Sequence, residues 1–150
     1  VVRHIGAAAV IATTDDGKLI LTRQYRYPLG METLEIPAGK KDEPDEPTSK
    51  TVLRELYEET GYDAKETTFL RTIHPCVGYS DEALDLYRAT GCRKVTGTPP
   101  MDDDESIEVV LVDTTEAKRL LDDGTVTDGK TLIALMTYLN DDNPRSGHGT

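Results

Sequence analysis

Short apolar runs separated by polar turns organise this chain, and the period of those runs changes along its length. Ile5 to Thr13 is small and β-branched, ends in the turn Asp15-Asp16-Gly17 and resumes as Leu19-Ile20-Leu21, which predicts a β-hairpin. Arg23-Gln24-Tyr25-Arg26-Tyr27 prolongs the second strand with large polar side chains until Pro28 breaks it. Thr33 to Ile36 predicts a short strand that runs into Pro37-Ala38-Gly39 and a polar loop. Pro47 suits the first turn of a helix reaching about Thr60, stopped by Gly61, with Val52, Leu53 and Leu56 as its buried stripe. Thr67 to His74 and Leu84 to Thr90 read as strands around the turn-rich segment 75–82, and Ile107 to Val112 as a further strand. Two helices, Thr115 to Leu121 and Gly129 to Tyr138, precede a polar tail from Asn140 that is expected to fray. Without an internal repeat, mixed strands with helices between them predict one α/β domain over residues 1–150.

Composition narrows the function. The chain has 150 residues, enough for one domain with its own core, with 37% hydrophobic and 30% charged residues. Its net charge of −11 argues against a nucleic-acid backbone or an anionic membrane as partner, because both need a basic surface. The longest apolar run, Ile5 to Ala12, is eight residues, against the ~20 a membrane span needs. No secretory leader is visible, and Cys76 and Cys92 have neither metal-ligand spacing nor a disulfide framework. The expected location is therefore the cytoplasm, with both thiols reduced.

The predicted helix ending at Gly61 carries the candidate chemistry. Glu55 and Glu59 lie four residues apart and share a face, with Glu58 beside them and Arg54 one residue before the first. Carboxylates this close repel one another unless a cation gathers them, and the simplest such cation is hard and oxygen-seeking, Mg²⁺ or Mn²⁺. Bound divalent ions would also let so acidic a protein accept an anionic, phosphate-bearing substrate.

These residues resemble the Nudix hydrolase family. Its signature runs Gly, five residues, Glu, seven residues, then Arg-Glu-apolar-x-Glu-Glu-x-Gly-apolar; here Gly39, Glu46 and Arg54 to Tyr62 match it, with six residues instead of five after Gly39. The blocks Arg23 to Pro28, Leu34 to Lys40, Gly78 to Glu82 and Asp104 to Glu108 are similar to the ADP-ribose pyrophosphatase branch, in its order. That likeness implies a Nudix α/β/α sandwich with a mixed sheet. It implies Mg²⁺-dependent hydrolysis of the pyrophosphate of ADP-ribose or a related nucleoside diphosphate sugar, giving a nucleoside monophosphate and a sugar phosphate. The rival activities are dinucleoside polyphosphate hydrolysis and a non-catalytic sensor that binds ADP-ribose. The chain departs from the branch at Val77, where a proline is usual, and at Asp103, where glutamate is usual. The N-terminal sheet that members often exchange between subunits is expected to be absent, which leaves a homodimer open.

The resemblance also distributes roles. Glu55 and Glu59 are expected to bind metal with the carbonyl of Ala38 and with Glu105. Two roles are open for Glu58, ligand of a second ion or partner of Arg54, and Arg54 is expected to hold the carboxylates in place. Asp103 matches the catalytic-base position with a stem one methylene shorter. Arg26 and Glu35 are candidates for substrate contacts, and Ser80, Asp81 and Glu82 for the rim near the terminal ribose. His74 and Cys76 receive no role.

Overall fold

In the computed structural model, residues 1–95 and 107–142 are described. The central strand is β1 (Ala7–Thr14), and it explains the rest of the architecture. Its side chains alternate between two cores: Ala7, Ala9 and Ile11 face one, Ala8, Val10 and Ala12 the other. A strand buried on both faces must have a layer on each side. On one side α1 (Thr48–Thr60) lays Val52 and Leu56 on Ala8, Val10 and Ala12. On the other, α2 (Thr114–Asp122) and α3 (Gly129–Asp142) bring Ala117, Leu120, Ala134 and Leu135 against Ala7, Ala9 and Ile11. The result is an α/β/α sandwich.

The sheet between these layers is mixed. β1 turns into β2 (Leu19–Arg26) through a hairpin whose Gly17 has φ +82°, and β2 lies between β3 (Met31–Glu35) and β8 (Glu108–Val112), antiparallel to both. β1 itself lies between β4 (Ala38–Lys40), antiparallel, and β7 (Leu84–Lys94), parallel. β6 (Thr68–Ile73) pairs with β7, and β5 (Tyr62–Asp63) with its far end. The predicted elements are all present, with ends shifted by a few residues. β3 starts two residues before the expected Thr33 and ends one before Ile36, whose N–H instead donates to Thr131 Oγ1 of α3 at 3.0 Å. β7 continues four residues past Thr90, where β5 pairs with it, and α3 runs past Tyr138 to Asp142. The strands β4 and β5 have no counterpart in the sequence pattern.

Helix α1 owes its position to both ends. It starts after Pro47, in extended conformation, and ends at Gly61, whose φ of +76° lets its N–H close on the Tyr57 carbonyl at 2.8 Å. Immediately beyond, Tyr62 enters β5, so the helix leaves its C-terminal turns pinned to the sheet. Among the described residues no helix is long and apolar enough to cross a membrane, and Cys76 and Cys92 are free thiols.

Candidate active site

The acidic face of α1 meets the backbone of β4. A Cβ placed on Gly39 would stand 2.1 Å from Glu55 Cδ, so a glycine is what lets the carboxylate lie against the strand. One residue earlier, the Ala38 N–H donates to Glu59 Oε1 at 3.3 Å. Both carboxylates are thus held beside the Ala38–Gly39 backbone and partly withdrawn from water. Burial pushes the Glu59 carboxyl up to about 8, and the nearby Glu55 charge adds to the effect. Glu55 is also raised, first by burial; Arg54 opposes the shift and Glu58 reinforces it.

Arg54 organises the approach to this pair. Its guanidinium donates to Glu55 Oε1 at 2.8 Å and to Glu46 Oε1 at 2.9 Å, while its Nε faces Asp42 Oδ2 at 3.1 Å as an ion pair without hydrogen-bond geometry. Glu46 accepts further bonds from Thr51 Oγ1 at 2.6 Å and from the Asp42 N–H at 3.0 Å. The Thr51 hydroxyl, then the Asp42 N–H and Arg54, hold its carboxyl down at about 2. The additional residue between Gly39 and Glu46 is therefore absorbed without breaking the Glu46–Arg54 contact. Glu58 stands outside this network, half-exposed and 4.0 Å from Arg54. Of its two expected roles, the ion pair with Arg54 is loose, and Arg54 gives its hydrogen bond to Glu55.

A second cluster lies beside the first. Arg26, from the end of β2, makes a bidentate pair with Glu35, both bonds 2.7 Å. Glu35 is only 3% exposed and also accepts from Thr33 Oγ1 at 2.5 Å and Lys130 Nζ at 3.0 Å. Burial works to raise its pKa, but Arg26, the Lys130 charge and Thr33 outweigh it and hold the carboxyl at about 2. Both oxygens are thereby committed to protein donors, which makes Glu35 the seat of Arg26. Arg26 and Glu59 feel each other's charge, so the two clusters are neighbours.

Next to Lys130 opens a cavity of about 520 Å³, lined among others by His74, Cys76, Glu82, Asp128 and Lys130, within the size range of small-molecule sites. Glu82, expected at the rim, is therefore in it. Asp81 turns the other way: it accepts the His4 N–H at 2.7 Å and lies 3.5 Å from Arg3, where the N-terminal segment pairs with Ser80. Asp103 and Glu105, the expected base and metal ligand, lie outside the described residues. Sequence reasoning gave no part to Lys130, Asp128 or Thr33, and left Glu46 as a signature position only. Asp128 is a local partner of Lys130, but Glu35 reaches it only when α3 docks its N-terminus on β3.

The donor set suits a divalent cation. Two carboxylates raised by burial and by like-charged neighbours gain most from a hard positive ion. Among the described residues no three acidic, histidine or cysteine side chains converge on a common point.

The α/β/α sandwich with paired helix carboxylates over a short strand defines a class of pyrophosphate-cleaving enzymes. The NUDIX domain matches residues 2–135, and the chain belongs to the Nudix family as a Nudix pyrophosphohydrolase. It is 40% identical over 136 residues to the ADP-ribose pyrophosphatase of Bacillus subtilis (strain 168), covering 91% of this chain and 73% of that protein. It is 38% identical, with the same coverage of both chains, to the methanol dehydrogenase activator of Bacillus methanolicus. An ADP-ribose pyrophosphatase of Mycobacterium tuberculosis (strain ATCC 25618 / H37Rv) is 40% identical over 106 residues, 71% of this chain and 51% of that one. The fold superposes on the crystal structure of an ADP compounds hydrolase with a TM-score of 0.77 at 24% identity, over 91% of this chain and 71% of that one.

Proposed function

We propose that this chain hydrolyses the pyrophosphate bond of ADP-ribose or a closely related nucleoside diphosphate sugar, with Mg²⁺ as its working ion. The observation that carries the reading is the adjacency of the half-buried Glu55–Glu59 pair to Arg26 on its Glu35 seat: carboxylates for a cation stand near a cation for a phosphate. The names borne by its relatives point to the same substrates.

In this reading Glu55 and Glu59 hold the ions, together with the Ala38 carbonyl, Glu105 and, for a second ion, Glu58. Bound there, Mg²⁺ would offset the phosphate charge and make water more acidic. Arg54 fixes Glu55 by its hydrogen bond and is itself fixed by Glu46. Arg26 keeps three of its five N–H donors free of Glu35 for a phosphate oxygen. Asp103 takes the proton from a water whose oxygen bonds to one phosphorus as the bond from that phosphorus to the bridging oxygen breaks, and AMP and ribose 5-phosphate leave. Of the three residues expected at the sugar end, Glu82 lines the cavity and serves it, whereas Asp81 is engaged by His4 and Arg3.

The test is incubation with ADP-ribose and Mg²⁺, with AMP followed by chromatography and Glu59→Gln in parallel. AMP release that disappears with EDTA and in the variant is the expected result. Undiminished release in both would overturn the assignment, and binding of ADP-ribose without any cleavage would convert the chain into a sensor.

A further inference from the structure

Lys130 is an unusual lysine. It sits in the first turn of α3 and is only 14% exposed, with its ammonium 3.0 Å from Glu35 Oε1 and 2.9 Å from Asp128 Oδ2. Arg26 donates to that same Glu35 Oε1 at 2.7 Å, so two cations lie side by side on one buried oxygen. An ammonium has three N–H donors. Two are used, and Lys130 lines the cavity, which leaves one donor for whatever enters it. Lys130 thus joins the Arg26–Glu35 pair, which feels the Glu59 charge, to the cavity.

A purely structural reading of Lys130 is that it neutralises Glu35. Arg26 already does that with two 2.7 Å bonds, and Thr33 adds a third. Asp128, for its part, accepts the Thr131 hydroxyl at 2.6 Å. Lys130 balances the Asp128 charge through its 2.9 Å contact, and its third N–H donor remains for the cavity. Among the described residues the cavity next to it has one aromatic ring, His74, and an apolar wall of Ile73, Leu84 and Ile133, while Glu82 and Asp128 offer acceptors for hydroxyl groups. That chemistry suits a polyol carrying a phosphate.

We propose that Lys130 is a substrate-binding residue, the second cation of a two-point clamp with Arg26, and that it grips the phosphoryl group attached to the sugar in the cavity. Arg26 serves the phosphate nearer the carboxylates of α1, and Lys130 the one that departs with the sugar. The assignment rests on reading the substrate as a nucleoside diphosphate sugar, and its test does not depend on turnover.

The experiment is calorimetric titration of ribose 5-phosphate and, separately, AMP into wild type, Lys130→Met and Lys130→Arg, with melting curves for all three. Loss of one charged hydrogen bond corresponds to about tenfold to a hundredfold in affinity. The expected result is that Lys130→Met loses ribose 5-phosphate affinity by that factor and keeps AMP affinity within about twofold, while Lys130→Arg recovers most of the loss. Equal binding of ribose 5-phosphate by wild type and Lys130→Met overturns the clamp, as does parallel loss of both ligands with a lowered melting temperature. A wild type that binds ribose 5-phosphate through Lys130 yet cleaves no nucleotide sugar would leave the clamp standing and remove the hydrolase reading.

Discussion

Glu59 and Glu35 show how one residue type acquires opposite properties a short distance apart. Glu59 has burial and a like-charged neighbour, and its carboxyl rises to about 8; Glu35 has burial with Arg26, Lys130 and Thr33, and falls to about 2. The pH dependences follow with opposite signs. For Glu59 the folded chain holds a proton that the unfolded chain has released above the ordinary 4.5, so its contribution is full below 4.5 and declines as pH rises to about 8. In EDTA, Glu59→Gln should therefore melt higher than wild type by on the order of 5 °C near pH 8, with the gap closing towards pH 4.5. A gap of the same size at both pH values would show that the proton is not on Glu59. For Glu35 the stabilisation is present above 4.5 and is lost as pH falls towards 2. Glu35→Gln should cost about 2 kcal/mol at neutral pH in denaturant melts and release Arg26 from its seat, lowering kcat/KM for the nucleotide sugar. Sequence alone selected Glu59, Glu55, Arg26 and Glu35 because they fall inside a spaced motif or a familiar block. It missed Lys130 because a lone lysine at a helix start is ordinary until tertiary packing brings Glu35 to it.

At the scale of elements, the site depends on α1 against β4, and only one partner of that pair was legible. The helix declares itself through the spacing of Val52, Leu53, Leu56 and its carboxylates, and through Gly61. Strand β4 has three residues and no alternation to detect; it exists because Ala7, Ala8 and Ala9 of β1 offer an edge to Lys40, Gly39 and Ala38. Strand β5, two residues long, is likewise defined by Lys94 and Arg93 across from it. Pairing of this kind is a property of the fold, and no local pattern encodes it. The contact yields a sharp prediction at Gly39. A methyl there collides with the Glu55 carboxyl, the movable end of a flexible side chain, so the fold gives way easily while the ligand does not stay in place. Gly39→Ala should melt within about 3 °C of wild type yet lose on the order of a hundredfold in kcat, the scale of a misplaced catalytic group. A melting temperature that collapses together with activity would mean that β4 is held for stability and not for the site.

Across the whole molecule, a net charge of −11 sets the background against which the site works. The α/β class was legible at this scale from mixed strands with helices between them, and the two cores flanking β1 show a helical layer on each side. Which residues gather the negative charge into a site was less so, since Asp42, Glu46, Glu55, Glu58 and Glu59 look in sequence like any solvated acidic segment apart from their spacing. Two effects of a divalent salt are then separable. Any salt screens self-repulsion and stabilises an acidic protein, in proportion to ionic strength. A cation bound between Glu55 and Glu59 adds stabilisation by mass action and also removes the Glu59 proton. About 5 mM MgCl₂ should therefore raise the melting temperature at pH 8 by on the order of 3 °C more than about 15 mM NaCl of equal ionic strength. Glu59→Gln should keep the sodium response and lose the excess from magnesium. Equal responses to the two salts in the wild type would place the magnesium effect in general screening and leave α1 without its metal.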